Sequence, residues 1–390
     1  MDKGLGDGRL TEAFRRLGGS RMISQFVGRE AELERLSAAL SFAADSNGRA
    51  VFLVGEHGVG KTRLAQEALA LARQRGFTVL EGRAFSLRTG LAYAPILEAF
   101  DPQLRNLDPV LLKRLLGDLP DLGRLFGGIE CLPPIHSDGS DDPALAKTRL
   151  FSALSRLVER LSQEQPVALY IDDIHWADDA TLELLHYLAQ SQSQARVLLL
   201  SCYTPDGLNG SSILRDLLVS LKQDRLVDEV YIPRLRMDAV RDMVQGLLAG
   251  KASNELIETL YARTGGYPLY IESLVAGLID AGYFLRPHAE KDIWAIEAAR
   301  TGPVPPLLRD LILGHLEHLS ASDRIVLDII AISGHIATYS YLRTESGQSD
   351  KALFRSLRSL EAHCLVAERI DGAEVGYSIV HPLIREVAID

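Results

Sequence analysis

The chain has 390 residues, 47% of them apolar, and a formal charge of −10. That length exceeds one ordinary core and points to two or three domains. The acidic balance speaks against a broad nucleic-acid-binding face, so direct nucleic-acid binding by this segment is not expected. Three dispersed cysteines, Cys131, Cys202 and Cys364, fit structural thiols in a reducing cytosol better than a disulfide framework or a zinc site. Met1 to Ser20 lacks a signal-type apolar core, and no uninterrupted apolar run reaches about 18 residues. The expectation is a soluble, cytoplasmic chain that does not enter a membrane.

Residues 1–24, rich in glycine, read as a flexible lead-in or the remnant of an upstream domain. Order begins at Phe26-Val27-Gly28-Arg29-Glu30, which opens an amphipathic helix running to about Ala44. Apolar strands are predicted at 50–54, 77–81, 167–171 and 196–202, with a weaker one at 227–232. Helical segments separate them, as in an α/β P-loop domain with a mainly parallel sheet over 25–235. The segment 84–165 is a long insertion between the second and third strands. Within it 131–143 reads as a surface loop, and 143–162 as a helix packing Leu145, Leu150, Leu154, Leu157 and Leu161 on the sheet. Beyond Pro233 the alternation stops. Helices at 237–249, 252–264 and 268–281 and a possible hairpin at 282–296 make a small helical domain over 236–302. The Pro-rich run 301–306 is a linker. Helices near 307–319, 321–333 and 350–362 and strands at 364–369 and 374–380, joined through Asp371-Gly372, predict a winged-helix domain over 303–390.

Gly55-Glu56-His57-Gly58-Val59-Gly60-Lys61-Thr62 follows the apolar run Val51–Val54 and precedes a helix, which is the GxxxxGK(S/T) phosphate loop in its proper context. Glycines let consecutive N–H groups turn inward onto phosphate oxygens, and the helix N-terminus adds favourable dipole charge. Lys61 reaches the β/γ-phosphates and the Thr62 hydroxyl suits Mg²⁺; Arg63 continues the phosphate-binding set. The apolar strand Val167–Ile171 ends in Asp172 and Asp173. A carboxylate at a strand tip beside the loop holds Mg²⁺, and a second orients or deprotonates the attacking water. Asp172 is assigned to the metal, together with Thr62; Asp173 and Lys61 are assigned to catalysis.

Ile171-Asp172-Asp173-Ile174-His175-Trp176-Ala177-Asp178 resembles the DDxHWAD signature of AAA-type ATPases in large bacterial regulators of the STAND class, signal-transduction ATPases with numerous domains. Phe26–Glu30 is similar to that family's opening motif, which implies that Val27, Gly28 and Arg29 border the adenine. Gly265-Gly266-Tyr267-Pro268 resembles its GxP motif, in which Pro268 approaches the base. Val380-His381-Pro382-Leu383-Ile384-Arg385-Glu386 is similar to its H-x-L-(I/V)-R-E segment, and His381 is expected to approach the diphosphate. His175 and Trp176 are expected to fix the following helix. The resemblance covers about 25–390 and implies an ATP/ADP-operated, Mg²⁺-dependent switch. Nucleotide would sit between the α/β and helical domains, and exchange of ADP for ATP would drive self-association. An inducer or output partner is left open.

One departure is Cys202-Tyr203-Thr204-Pro205, where the family commonly carries an arginine at the position of Thr204. Threonine supplies no fixed charge, so slow turnover is expected, with Arg63, Arg83 and Arg88 as possible substitutes. The chain ends at Asp390 just after the last motif, whereas such regulators continue into helical repeats and an output domain. A fragment, or output supplied by a partner, is therefore expected. The alternative is a free-standing AAA-type ATP hydrolase or remodeller. A P-loop phosphotransferase, and a DNA-binding module using Lys351, Arg355 and Arg358, are further readings.

Overall fold

The computed structural model describes residues 25–84, 92–127, 129, 132–133, 142–205, 208, 212–280, 284–285, 293–296, 309, 312–313, 316, 319–333, 336–362, 365–371, 374–379 and 382–389. The chain divides into two compact units, 29–233, and 234–390 together with the segment up to Gly28. No helix among the described residues is long and apolar enough to cross a membrane.

The first unit is built on five strands: β1 Arg49–Val54, β2 Thr78–Arg83, β3 Val167–Asp172, β4 Val197–Tyr203 and β5 Val227–Tyr231. They pair in the order β2-β3-β4-β1-β5, every pair parallel. All five therefore run out at one edge, where ligands of open α/β sheets bind. Every residue of β3 and β4 is buried, as is every residue of β1 after Arg49. Ala50, Phe52 and Val54 join a core cluster with residues from later helices, while the alternating Val51 and Leu53 are buried on the other face. A sheet covered on both faces needs such continuous apolar runs, which is why these strands are legible. The second strand extends to Arg83, two residues beyond the predicted end, in register with β3 through Arg83 opposite Asp172.

Seven helices of this unit are α1 Glu30–Ala44, α2 Lys61–Gln74, α3 Ala94–Arg105, α4 Pro109–Leu116, α5 Pro143–Glu164, α6 Asp179–Ser191 and α7 Ser212–Gln223. Asp142 caps α5 by accepting from the Ala144 N–H, with Pro143 pre-set for the first turn. Leu150, Leu154, Leu157 and Leu161 are buried as expected, but Leu145 is 45% exposed. The first two turns of α5 stand clear of the core, and continuous burial starts only at Leu150. Most of the predicted loop at 131–143 lies outside the described residues.

In the second unit, α8 Met237–Leu247, α9 Asn254–Thr264 and α10 Pro268–Asp280 pack around Val240, Val244, Leu256, Leu260, Ile271 and Leu274. The predicted helix from 252 starts at Asn254, because β6 Lys251–Ala252 pairs parallel with β8 Ile293–Ile296 and Ser253 caps the helix. Strand β7 Phe284–Leu285 pairs antiparallel with β8, giving the expected hairpin. The linker 301–306 lies outside the described residues, and the next predicted helix is helical where described, at 309, 312–313 and 316. There follow α11 Ala321–Ser333, β9 Ala337–Thr338, α12 Tyr339–Ser346, α13 Asp350–Ala362, β10 Val366–Asp371, β11 Glu374–Ile379 and α14 Pro382–Ile389. These last three strands form an antiparallel sheet ordered β10-β11-β9. Short β9 and α12 have no counterpart among the elements that the sequence predicts.

Two glycines make the turn from α9 to α10. Gly265 closes α9 at φ +56°, and Gly266 follows at φ +80°. The Gly266 carbonyl accepts from the Leu235 N–H at 2.9 Å, and a Cβ on Gly266 would lie 2.3 Å from the Leu235 carbonyl oxygen. Neither the left-handed backbone nor the close approach admits a side chain. Gly266→Ala is expected to cost about 1–3 kcal/mol, read as a lower thermal unfolding midpoint of the whole chain.

Candidate functional site

The loop Gly55–Thr62 joins β1 to α2 at the carboxyl edge of the sheet. Gly58 and Gly60 adopt φ of +76° and +103°, and the Gly60 carbonyl accepts from the Leu64 N–H as α2 begins. A Cβ on Gly55 would meet the Ile232 carbonyl oxygen and the Val59 side chain at 2.9 Å each. The loop is thus a backbone cradle tightened from below by the segment after β5. Lys61 is buried, and its ammonium donates to the carbonyls of Gly55 and Glu56 at 3.0 and 3.1 Å. Glu56 and Gly58 are half-buried, Val59 is buried, and His57, Thr62 and Arg63 face solvent. Arg63 pairs with Glu67 at 2.9 Å along α2.

Asp172, the last residue of β3, is 4% exposed. Its two carboxylate oxygens accept from the Thr62 hydroxyl at 3.3 and 3.1 Å. The Cys202 thiol, near the end of the adjacent β4, donates to Asp172 Oδ1, and Cys202 Sγ accepts from the Asp173 N–H at 3.3 Å. Burial and the two neighbouring carboxylates push the Cys202 thiol well above its usual range, so it remains a protonated donor. Cys202 is the site residue that the sequence did not single out. The β3–β4 register places it there, and strand order is not written in any local motif.

Asp173 turns into the left-handed region at φ +52°. Its carboxylate accepts from Arg83, the last residue of β2, at 3.2 Å; Arg83 Nε is 3.9 Å from Asp172. Burial and the Asp172 charge raise the Asp173 carboxyl, while Lys61 and Arg83 oppose that rise. The result is a more basic carboxylate than an ordinary aspartate, suited to taking a proton from water. The Arg83 side chain is half exposed, so this ion pair is worth on the order of 0–1 kcal/mol and exchanges readily. Thr62 and the aspartates offer hard oxygens, the donor chemistry that Mg²⁺ selects; the protonated Cys202 thiol, within 4.8 Å of both carboxylates, serves them as a neighbour and not as a Mg²⁺ ligand.

Arg29 is 4% exposed, and its guanidinium donates to the carbonyls of Val59 at 3.2 Å and Pro233 at 2.6 Å, beside Glu32 at 3.5 Å. It therefore braces the phosphate loop from the start of α1. Val27, Gly28 and Pro268 belong to the second unit. There Val27 packs against the cluster around Val240, and Gly28, at φ +65°, leaves no room for a Cβ, which would meet the Ala239 Cβ at 2.4 Å. Pro268 opens α10. His381 and Arg88 lie outside the described residues. Thr204, directly after β4, is buried.

Residues 25–200 match the AAA ATPase domain family, and the AAA-type resemblance read from the motifs is borne out. The five-stranded parallel sheet with its phosphate loop is a P-loop NTPase fold. An uncharacterized protein of Rhizobium meliloti (strain 1021) is 23% identical over 394 residues, covering 96% of this chain and 36% of its own length. Among solved structures, a STAND protein with a tetratricopeptide repeat sensor from Pyrococcus horikoshii is 17% identical, with a TM-score of 0.36, over 95% of this chain and 44% of its own. Thermotoga maritima RuvB, as the T158V variant, is 17% identical with a TM-score of 0.41, over 91% of this chain and 92% of its own. The chain spans less than half the length of the first two proteins.

His175, in the 3-10 turn Ile174–Trp176, has a buried Nδ1 with no hydrogen-bond partner among the described residues. Burial, then Lys61, lowers its pKa to about 4 against the opposing charge of Asp172. The unfolded chain protonates this ring near its ordinary value of about 6.5. Between those values the unfolded state binds more protons, so His175 removes stability as pH falls from about 6.5 to about 4. An NMR titration of the His175 ring is expected to show a midpoint near 4. His175→Gln is expected to flatten the stability–pH slope in that window.

Proposed function

We propose that this chain is an ATP/ADP-binding, slowly hydrolysing switch of the STAND class that controls self-association of a regulatory protein, a transcriptional regulator in the fullest form of the reading. The observation that carries it is the contact of Thr62 in the phosphate loop with Asp172 at the tip of β3. It joins the two parts that a phosphate-loop nucleotidase needs. On this reading Gly55–Thr62 and Arg63 bind the phosphates, Arg29 holds the loop's shape, and Val27, Gly28 and Pro268 serve the adenine. His381 senses the diphosphate. Thr62 and Asp172 hold Mg²⁺, which when bound neutralises charge on the β- and γ-phosphates. Asp173 orients the attacking water and accepts its proton, and Lys61 draws charge toward the β/γ-bridge. The order α11, β9, α12, α13, β10, β11, with a hairpin last, supports a winged-helix domain over 303–390 following a helical domain over 236–302. The partners are adenine nucleotide, further copies of the chain, and an inducer or output partner of unassigned identity.

Such a switch has a defined energetic requirement. Moving a population from 1:99 to 99:1 takes about 5.5 kcal/mol of differential binding, within reach of a Mg²⁺-bound γ-phosphate making several charge-assisted contacts. The purified protein is expected to carry ADP, to remain unassembled with it, and to assemble with a non-hydrolysable ATP analogue in size-exclusion light scattering. Lys61→Ala is expected to weaken ATP binding about 10- to 100-fold, the loss of one strong charge-assisted contact. Asp173→Asn is expected to leave binding intact and to lower turnover roughly 10²- to 10⁴-fold. Turnover at a motor ATPase's rate, with no nucleotide-dependent change of assembly, would instead establish the free-standing hydrolase.

A further inference from the structure

We infer that Arg83 supplies, from β2, the positive charge toward the terminal phosphate that Thr204 does not supply from the end of β4. This assignment rests on the nucleotide-switch reading above. Strand order sets up the relation. The acidic tip of β3 is flanked by β4 on one side and β2 on the other. Arg83 is in register with Asp172 across the β2–β3 pair, while Thr204 directly follows β4 on the far flank. A cation missing from one flank is thus replaced by a cation at the end of the other.

Arg63, the other described candidate, does not share that position. Arg63 lies on the exposed side of α2, engaged with Glu67. Arg88 lies outside the described residues. Of the two described candidates, it is Arg83 that touches the carboxylate pair, at 3.2 Å from Asp173 and 3.9 Å from Asp172. Its backbone N–H is anchored by the Glu98 carboxylate at 2.8 Å, which fixes the strand end and not the guanidinium. In a nucleotide complex the guanidinium would have two anions competing for it, Asp173 and the γ-phosphate. A γ-phosphate carries more charge than a carboxylate and matches the planar fork of arginine in two parallel hydrogen bonds. ADP offers no such competitor. Arg83 thereby distinguishes ATP from ADP, which is the task of a switch.

The test compares affinities for fluorescent ADP and a fluorescent non-hydrolysable ATP analogue, both with Mg²⁺, on the full chain. Arg83→Ala is expected to lower the ATP-to-ADP affinity ratio at least tenfold while ADP affinity holds. Adding Thr204→Arg to that variant is expected to restore the ratio to within about threefold of the parent. If Arg83→Ala misfolds, Arg83→Gln is read by the same ratio. A ratio that moves less than twofold overturns the assignment. So does faster turnover at an unchanged ratio, which would make Arg83 only a restraint on Asp173. A parent protein that binds neither nucleotide would overturn the switch reading itself.

Discussion

The contact between Thr62 and Asp172 is the constraint around which the first unit is organised. The two residues are 110 apart in sequence and come from β1's loop and from β3, which are not sheet neighbours. Strand β4 runs between them, so its tip must fill the gap without pushing them apart. Cys202 does this with a small side chain and a thiol proton aimed at Asp172. An almost fully buried carboxylate left without partners would cost several kcal/mol. Here Thr62, Cys202 and the more distant Arg83 supply them together. One buried charge therefore dictates residue choice on three other elements.

The loop's shape is secured in a comparable way, from outside itself. Positive φ at Gly58 and Gly60 opens the cradle, but backbone freedom alone does not choose one conformation. Arg29 narrows the choice by holding Val59 and Pro233 through their carbonyls, joining the loop to the chain leaving β5. Burial lowers its pKa, and Glu32 opposes that fall. A buried guanidinium behind a loop of inward-facing N–H groups also adds positive potential where phosphates are bound.

How much of this could be read from the sequence follows the range of the interactions involved. The phosphate loop is local, with fixed spacing between an apolar strand and a helix, and so are the two carboxylates closing β3. Both were legible. The apolar runs of β1, β3 and β4 were legible because both faces of those strands are buried. Two-residue strands such as Lys251–Ala252 and Ala337–Thr338 have no periodicity to detect; only their pairing partners define them. Arg83 was overlooked as a strand residue because β2 carries partly exposed positions up to its polar end. In the sequence Cys202 reads as a plain thiol and Arg29 as an adenine neighbour. Their contacts depend on strand order and on a carbonyl some 200 residues away, which no local pattern encodes.

The charge balance at the sheet edge bears on the proposed rate. Lys61 and Arg83 carry one positive charge each, and Asp172 and Asp173 one negative charge each, so the four groups sum to zero. An arginine in place of Thr204 would leave a surplus of one. A transition state of phosphoryl transfer spreads charge over the equatorial oxygens, and a dedicated arginine there is worth about 10³- to 10⁵-fold in turnover. Arg83 cannot neutralise Asp173 and serve those oxygens with the same hydrogen bonds. On the proposed assignment, moving it to the phosphate would cost Asp173 a partner in a partly buried setting, raising its basicity and favouring proton transfer from water. Binding discrimination and catalysis then draw on one guanidinium, and what it gives to holding ATP is not available as extra transition-state stabilisation. On the proposed reading, such a site favours recognising ATP over turning it over quickly.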